Sequence, residues 1–156
     1  MTNPNAALMR RQMQQPTFAN PSPMVSSNRA FYTYAARFTA VPSAGASSPV
    51  QSITIDNDAD FDWMYSTYMA TIGDVAQTLG TELIPIALVD IATQDTQRMS
   101  NLPVPIPSVF GDGRQPLVLP TARRLARRTQ IQFTVTNLGA DNINLWLMLI
   151  GQKVFS

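Results

Sequence analysis

An all-β fold of packed sheets with little helix is what this sequence predicts, and three observations predict it. The clearest is the strict alternation of Gln130 to Thr136, where Ile131, Phe133 and Val135 point one way and Gln130, Gln132, Thr134 and Thr136 the other. Period two of this kind marks a strand with one wet and one buried face. The second is that about eight short segments of this type recur between turn formers, the spacing of a β-sandwich or Greek-key jelly roll. The third is the scarcity of helical pattern, which is confined to Gly73–Gly80 and Thr121–Thr129.

Taken in order, Met1 to Arg29 reads as an extended N-terminal arm. It is rich in Asn, Gln, Pro and Ser, and Pro4, Pro16, Pro21 and Pro23 break any regular element. Its scattered apolar residues are too few to order it alone, so neighbouring subunits are expected to hold it. Residues 30–156 are then the sandwich domain. Ala30 to Val41 is aromatic and β-branched enough for a first strand, and Pro42 to Pro49 is a loop. Gln51 to Asp56 is a short strand. Asp60 to Ile72 is a long one, with Phe61, Trp63, Tyr65, Thr67 and Met69 expected on one side. Gly73 to Gly80 is a turn with room for one helical turn. Leu83 to Ala92 is a strand whose Pro85 marks a start or an edge. Thr93 to Ser100 is loop or weak strand, and Asn101 to Pro120 is an extended loop with a short strand at Leu117 to Leu119. The last strand, Ile143 to Gly151, is apolar on both faces beyond Asn144. Such a strand is either central in its sheet or covered by another subunit. The turn-rich Asn137 to Asn142 either folds back as a hairpin or steps to a facing sheet.

Composition narrows the function classes. A chain of 156 residues buries roughly 70% of its unfolded surface and needs no staple. It contains no cysteine and no histidine, so a zinc site, a Ser-His-Asp triad or a Cys-His pair cannot be built from it. Catalysis and cofactors are therefore not expected. Met1 to Pro23 lacks the apolar core of a secretory signal, and no apolar run approaches a membrane span. A soluble, cytoplasmically made protein is expected.

Charge is segregated along the chain. Residues 1–50 hold four Arg and no acid, residues 51–95 eight acids and no base, and residues 96–156 six Arg and Lys153 against two Asp. Opposite blocks of this kind pair within a subunit, meet head to tail between copies, or dock on a charged partner surface. Asp56 to Asp60 lacks the Gly and Glu of a helix-flanked calcium loop and reads as an acidic turn. Arg123, Arg124, Arg127 and Arg128 would share a face if their segment were helical. An acidic protein neighbour is favoured over nucleic acid for them, because no nucleic-acid fold accompanies the cluster. Trp63 and Trp146 read as core or interface residues ahead of a sugar platform, and no carboxylate pair, such as Asp62 with Glu82, is singled out for glycoside hydrolysis.

Residues 51–155 also carry a pattern that runs through Ile53-Thr54-Ile55, Asp60-Phe61-Asp62-Trp63, Ile86 to Ile91, Pro103-Val104-Pro105, Val109 to Gly113, Pro116 to Pro120, Ile131 to Asn137 and Leu145 to Phe155. This pattern resembles that of tailed-bacteriophage virion proteins. The resemblance is to small jelly-roll proteins that decorate or cement phage heads, or to a minor head or fibre-base module. It implies a jelly-roll-like β-sandwich without catalytic activity, located on the outer capsid surface of the virion. The implied partners are the major capsid protein and copies of itself, as a homo-oligomer. A tail, collar or fibre-attachment part is the alternative, followed by a carbohydrate-binding jelly roll. The residues expected at protein contacts are Arg10, Arg11, Phe18, Arg29, Arg123, Arg124, Arg127, Arg128 and Trp146.

Overall fold

Alternating side chains become two stacked antiparallel sheets. The computed structural model describes residues 28–43, 45–73, 75–76, 86–93, 98–111 and 114–155. These form β1 (Arg29–Val41), β2 (Gln51–Thr54), β3 (Asp60–Ile72), β4 (Val75–Ala76) and β5 (Ala87–Thr93). They continue through β6 (Val104–Pro105), the short helix α1 (Ile106–Val109), β7 (Leu117–Leu125), β8 (Gln130–Asn137) and β9 (Ile143–Val154). One sheet runs β1-β9-β3-β4, with β7 also on β3; the other runs β2-β8-β5-β6. The fold is an all-β sandwich, as the alternation predicts.

β9 is the central strand of the larger sheet. Its inward residues Leu145, Leu147 and Leu149 are buried opposite Phe38, Ala36 and Tyr34 of β1 and Ala70, Tyr68 and Ser66 of β3. Facing them across the core are Ile53, Ile131, Phe133, Val135, Val89 and Ile91 of the smaller sheet. Of the two readings left open for residues 137–142, the step between sheets is the one observed. Asn137, fully buried, holds that step. Its Nδ2 donates to the carbonyls of Val41 and Asp141 at 3.2 and 2.8 Å, and its Oδ1 accepts from the Gly139 amide at 2.8 Å.

Several expectations are corrected. β3 does not keep one set of residues on one side. A bulge between Trp63 and Tyr65 shifts its register against both β9 and β7. Phe61 and Trp63 therefore face inward, whereas Tyr65, Thr67 and Met69 face outward; one extra residue inverts the alternation. At the bulge the β3 backbone lies against Gly151, where a Cβ would strike the Asp62 carbonyl. The Thr121–Thr129 stretch is not helical. β7 continues through Leu125 because β3 offers a ladder, and burial of Leu125 opposite Phe61 outweighs local helix propensity. β1 begins at Arg29, one residue inside the expected arm, and β2 ends at Thr54. In the 73–80 stretch residues 75–76 pair with β3 as a strand; Asp74 and residues 77–80 lie outside the described residues. So do Leu83 to Pro85 of the expected Leu83–Ala92 strand, residues 94–97 and residues 112–113.

Gly151→Ala is expected to lower unfolding free energy by about 1–3 kcal/mol, the usual cost of overpacking. Asn137→Ala, which strands buried backbone partners, is expected to cost about 1–3 kcal/mol. Urea titration of both variants against the native chain measures this; native-like midpoints would contradict the close approach and the buried polar hub.

Candidate interaction surface

Charges that looked available in the sequence are largely consumed within the subunit. Arg124 lies opposite Asp62 across the β7–β3 ladder, and its Nε and Nη2 donate to the two carboxylate oxygens at 2.7 and 3.1 Å. This forked geometry holds the Asp62 carboxyl below the usual range and the Arg124 guanidinium above its own. Arg29 stands 3.6 Å from the same carboxylate. Arg127 donates its backbone amide to Asp60 at 3.1 Å, and Arg128 Nε donates to Asn57 at 2.7 Å. Arg123 and Arg124 are adjacent on a strand and project to opposite faces. The shared basic face that a helix would have made does not form.

Lys153 closes the other half of the acidic turn. It is buried on the inward side of β9, and its Nζ donates to Asp56 at 2.6 Å and to Asp58 at 3.0 Å. The Tyr32 ring lies 4.2 Å from the ammonium, and Tyr34 packs edge-on against Phe61 while accepting the Asp56 amide at 3.0 Å. The hydrogen bond from Lys153 lowers the Asp56 pKa, and the bond to Asp56 raises that of Lys153. A lysine held charged in this way is a lock between β9 and the turn, and the position an ion would take between Asp56 and Asp58 holds its ammonium. Burial raises the Tyr34 pKa.

The outward side of the larger sheet is different in character. Register places Arg37, Trp146 and Met69 in one row, Ala35, Met148 and Thr67 in the next, and Thr33, Ile150, Tyr65 and Val118 in a third. Phe31 extends the face at its rim. Phe31, Met69 and Val118 are 74%, 58% and 62% exposed. The Arg37 guanidinium lies 5.5 Å from the Trp146 ring centroid, a cation–π contact that holds the indole on the surface. By contrast, the smaller sheet turns Ser52, Thr54, Gln130, Gln132, Thr134 and Thr136 outward on β2 and β8. Aromatic, Met and Arg side chains in one patch are the composition of a protein interface core.

Of the expected contact residues, Trp146 lies on this face, Arg29 and Arg124 at its charged end, and Arg127 and Arg128 in the turn after β7. Arg10, Arg11 and Phe18 lie outside the described residues, as does Glu82. Trp63 is wholly buried with its Nε1 donating to the Tyr65 carbonyl at 2.9 Å, so it offers no platform to a sugar. Sequence reasoning saw only the part of this face that β9 contributes, its apolar outer side; the bulge that adds Tyr65 and Met69 to it left no such signal. No family model, no curated protein and no solved structure matches the chain.

The ion pairs predict a stability profile with two edges. Asp56 and Asp62 have lowered pKa values, so their contribution is present above about pH 3.9 and is lost as pH falls through the folded values. Lys153 and Tyr34 have raised values. Their contribution is complete below about pH 10 and is lost as pH rises through the folded values. Thermal melts across pH are expected to be flat between these edges. Lys153→Met is expected to cost about 1 kcal/mol at neutral pH, since its carboxylate partners are half in solvent, and to shallow both edges. An unaltered profile in that variant would show that the lock contributes nothing.

Proposed function

We propose that the protein is a structural, non-enzymatic subunit of a tailed-bacteriophage virion, one that coats the outside of an assembled head and stabilises it. The observation that carries the reading is the unequal pair of outer faces: one polar over β2 and β8, one apolar and exposed around Phe31, Met69 and Val118. A sandwich with a complete core and one apolar outer face is suited to membership of a layer. The winding supports the same reading. With β4 set aside, four strands in the order β1-β9-β3-β7 face four in the order β2-β8-β5-β6. Six of the chain connections join a strand of one sheet to a strand of the other, the alternation that the double Greek key of a jelly roll would produce. The pattern of residues 51–155 that resembles phage head-decorating proteins is what suggests the particle.

The mechanism is mass action. A subunit that binds only the assembled arrangement of capsid proteins stabilises that arrangement in proportion to its occupancy. A segment that orders on binding covers a large area at an entropic cost, and residues 1–27 are proposed to attach in that way. Incubation of the purified full chain with heads assembled without it tests the reading. Saturable binding in a number matching the shell lattice, with a raised melting temperature of the shell, is expected. Absence of binding would overturn the assignment, and binding of only a few copies at a vertex would replace it with a tail, collar or fibre-attachment role.

A further inference from the structure

The exposed outer face of the larger sheet has a size that decides what can occupy it. Three to four strands about 4.8 Å apart over some seven residues of rise give a footprint of roughly 400 Å². A stable sheet-to-sheet pairing of two copies needs about 800 Å² on each partner. The face is therefore too small to hold a second sandwich by itself, and it suits one extended segment with a few large apolar side chains.

The chain carries such a segment outside the described residues. Residues 1–27 include Leu8, Met9, Met13, Phe18, Met24 and Val25 and no acidic residue, while Pro16, Pro21 and Pro23 deny that stretch a continuous strand ladder. Fully extended, a segment of this length reaches at most about 90 Å. Its point of departure is fixed. The β1–β9 ladder runs to Arg29 opposite Val154, and the Phe155 amide donates to the Asn28 carbonyl at 2.8 Å. The chain thus leaves along the strand axis past the rim at Phe31, beyond the end of its own face. Covering that face within its own subunit requires the chain to double back on β1, whereas the same face of a second copy can be reached without that reversal.

We propose that the outer face of the β1-β9-β3-β7 layer is the receptor for residues 1–27 of a second copy of this chain, so that each subunit holds the next. The contact is head to tail, with the Trp146–Met69–Val118 face as receptor and the apolar side chains of the arm as ligand. It rests on the reading of this face as a docking surface within a layer and names its occupant.

The absence of cysteine makes the test clean. Full-length chains carrying Met9→Cys, Phe18→Cys or Met24→Cys are mixed with full-length chains carrying Met69→Cys and oxidised. Covalent heterodimers are expected with at least one arm position, and none with Val50→Cys, an equally exposed position away from the face. In chains that carry both an arm cysteine and Met69→Cys, an intermolecular ladder is expected. A monomeric, internally bridged product would overturn the proposal, as would the absence of any bridge to Met69. In parallel, the surface variant Met69→Asp/Val118→Asp is expected to weaken self-association in sedimentation by about tenfold or more. Its circular dichroism verifies the fold, and native-like association would also overturn the proposal. Binding of the single full chain to heads is scored separately. Loss of bridging with head binding intact removes the arm as occupant and leaves the structural role, whereas loss of head binding with bridging intact removes the role and leaves the contact.

Discussion

The ladder along β9 is the constraint on which the rest of the structure depends. β9 is paired on both edges, to β1 from Ile143 to Val154 and to β3 over the same span. Because side chains alternate, this one register decides at once that Leu145, Leu147 and Leu149 enter the core and that Trp146, Met148 and Ile150 leave it. A slip of one residue would exchange the two sets. The only break in the β9–β3 register lies beside Gly151, where the absence of a Cβ lets the β3 bulge approach. Beyond it the same strand delivers Lys153 to Asp56 and Asp58, so packing and electrostatics are tied to one alignment.

That alignment explains how a segregated charge pattern ends as a quiet surface. Eight acids in succession followed by a basic C-terminal third suggest a polar molecule with two charged ends. Folding sets the acidic turn 56–62 between β7 and the end of β9, and Arg124, Arg127, Arg29 and Lys153 close upon it. Exposed ion pairs of this kind contribute little each, yet they compensate charge locally. The long-range field available to steer a charged partner is correspondingly reduced, and what the larger sheet presents to a neighbour is chiefly apolar.

Much of this was legible in the residues, and the exceptions are informative. β8 and the inward side of β9 follow from alternation alone, since nothing in Gln130–Asn137 or Ile143–Leu149 competes with period two. The side assignment of β3 failed because a bulge is a backbone event: Trp63, Met64 and Tyr65 read as an ordinary apolar run, and the glycine that admits the bulge lies far away in sequence. β7 failed for a different reason. Thr121 to Arg128 has good local helix formers, and only the free edge of β3, with Asp62 opposite Arg124, makes the strand preferable. The outer face was half visible, in β9 alone, because a surface formed by four strands exists only after their registers are known.

The strength of that face argues for its use in numbers. Burying an exposed Phe, Met or Val yields on the order of 1–2 kcal/mol each when exposure is already partial. Three such residues with Trp146 and Ile150 at their margin therefore supply several kcal/mol. Association costs about 4–15 kcal/mol in lost freedom before any surplus appears. A lone contact of this size is consequently weak, and two subunits meeting in dilute solution would separate readily. On an ordered surface the balance changes, because each subunit already held by one contact makes the next at high effective concentration. On the proposed reading, a face that joins free chains only reversibly but holds neighbours durably on a shell lets lasting assembly wait for the shell.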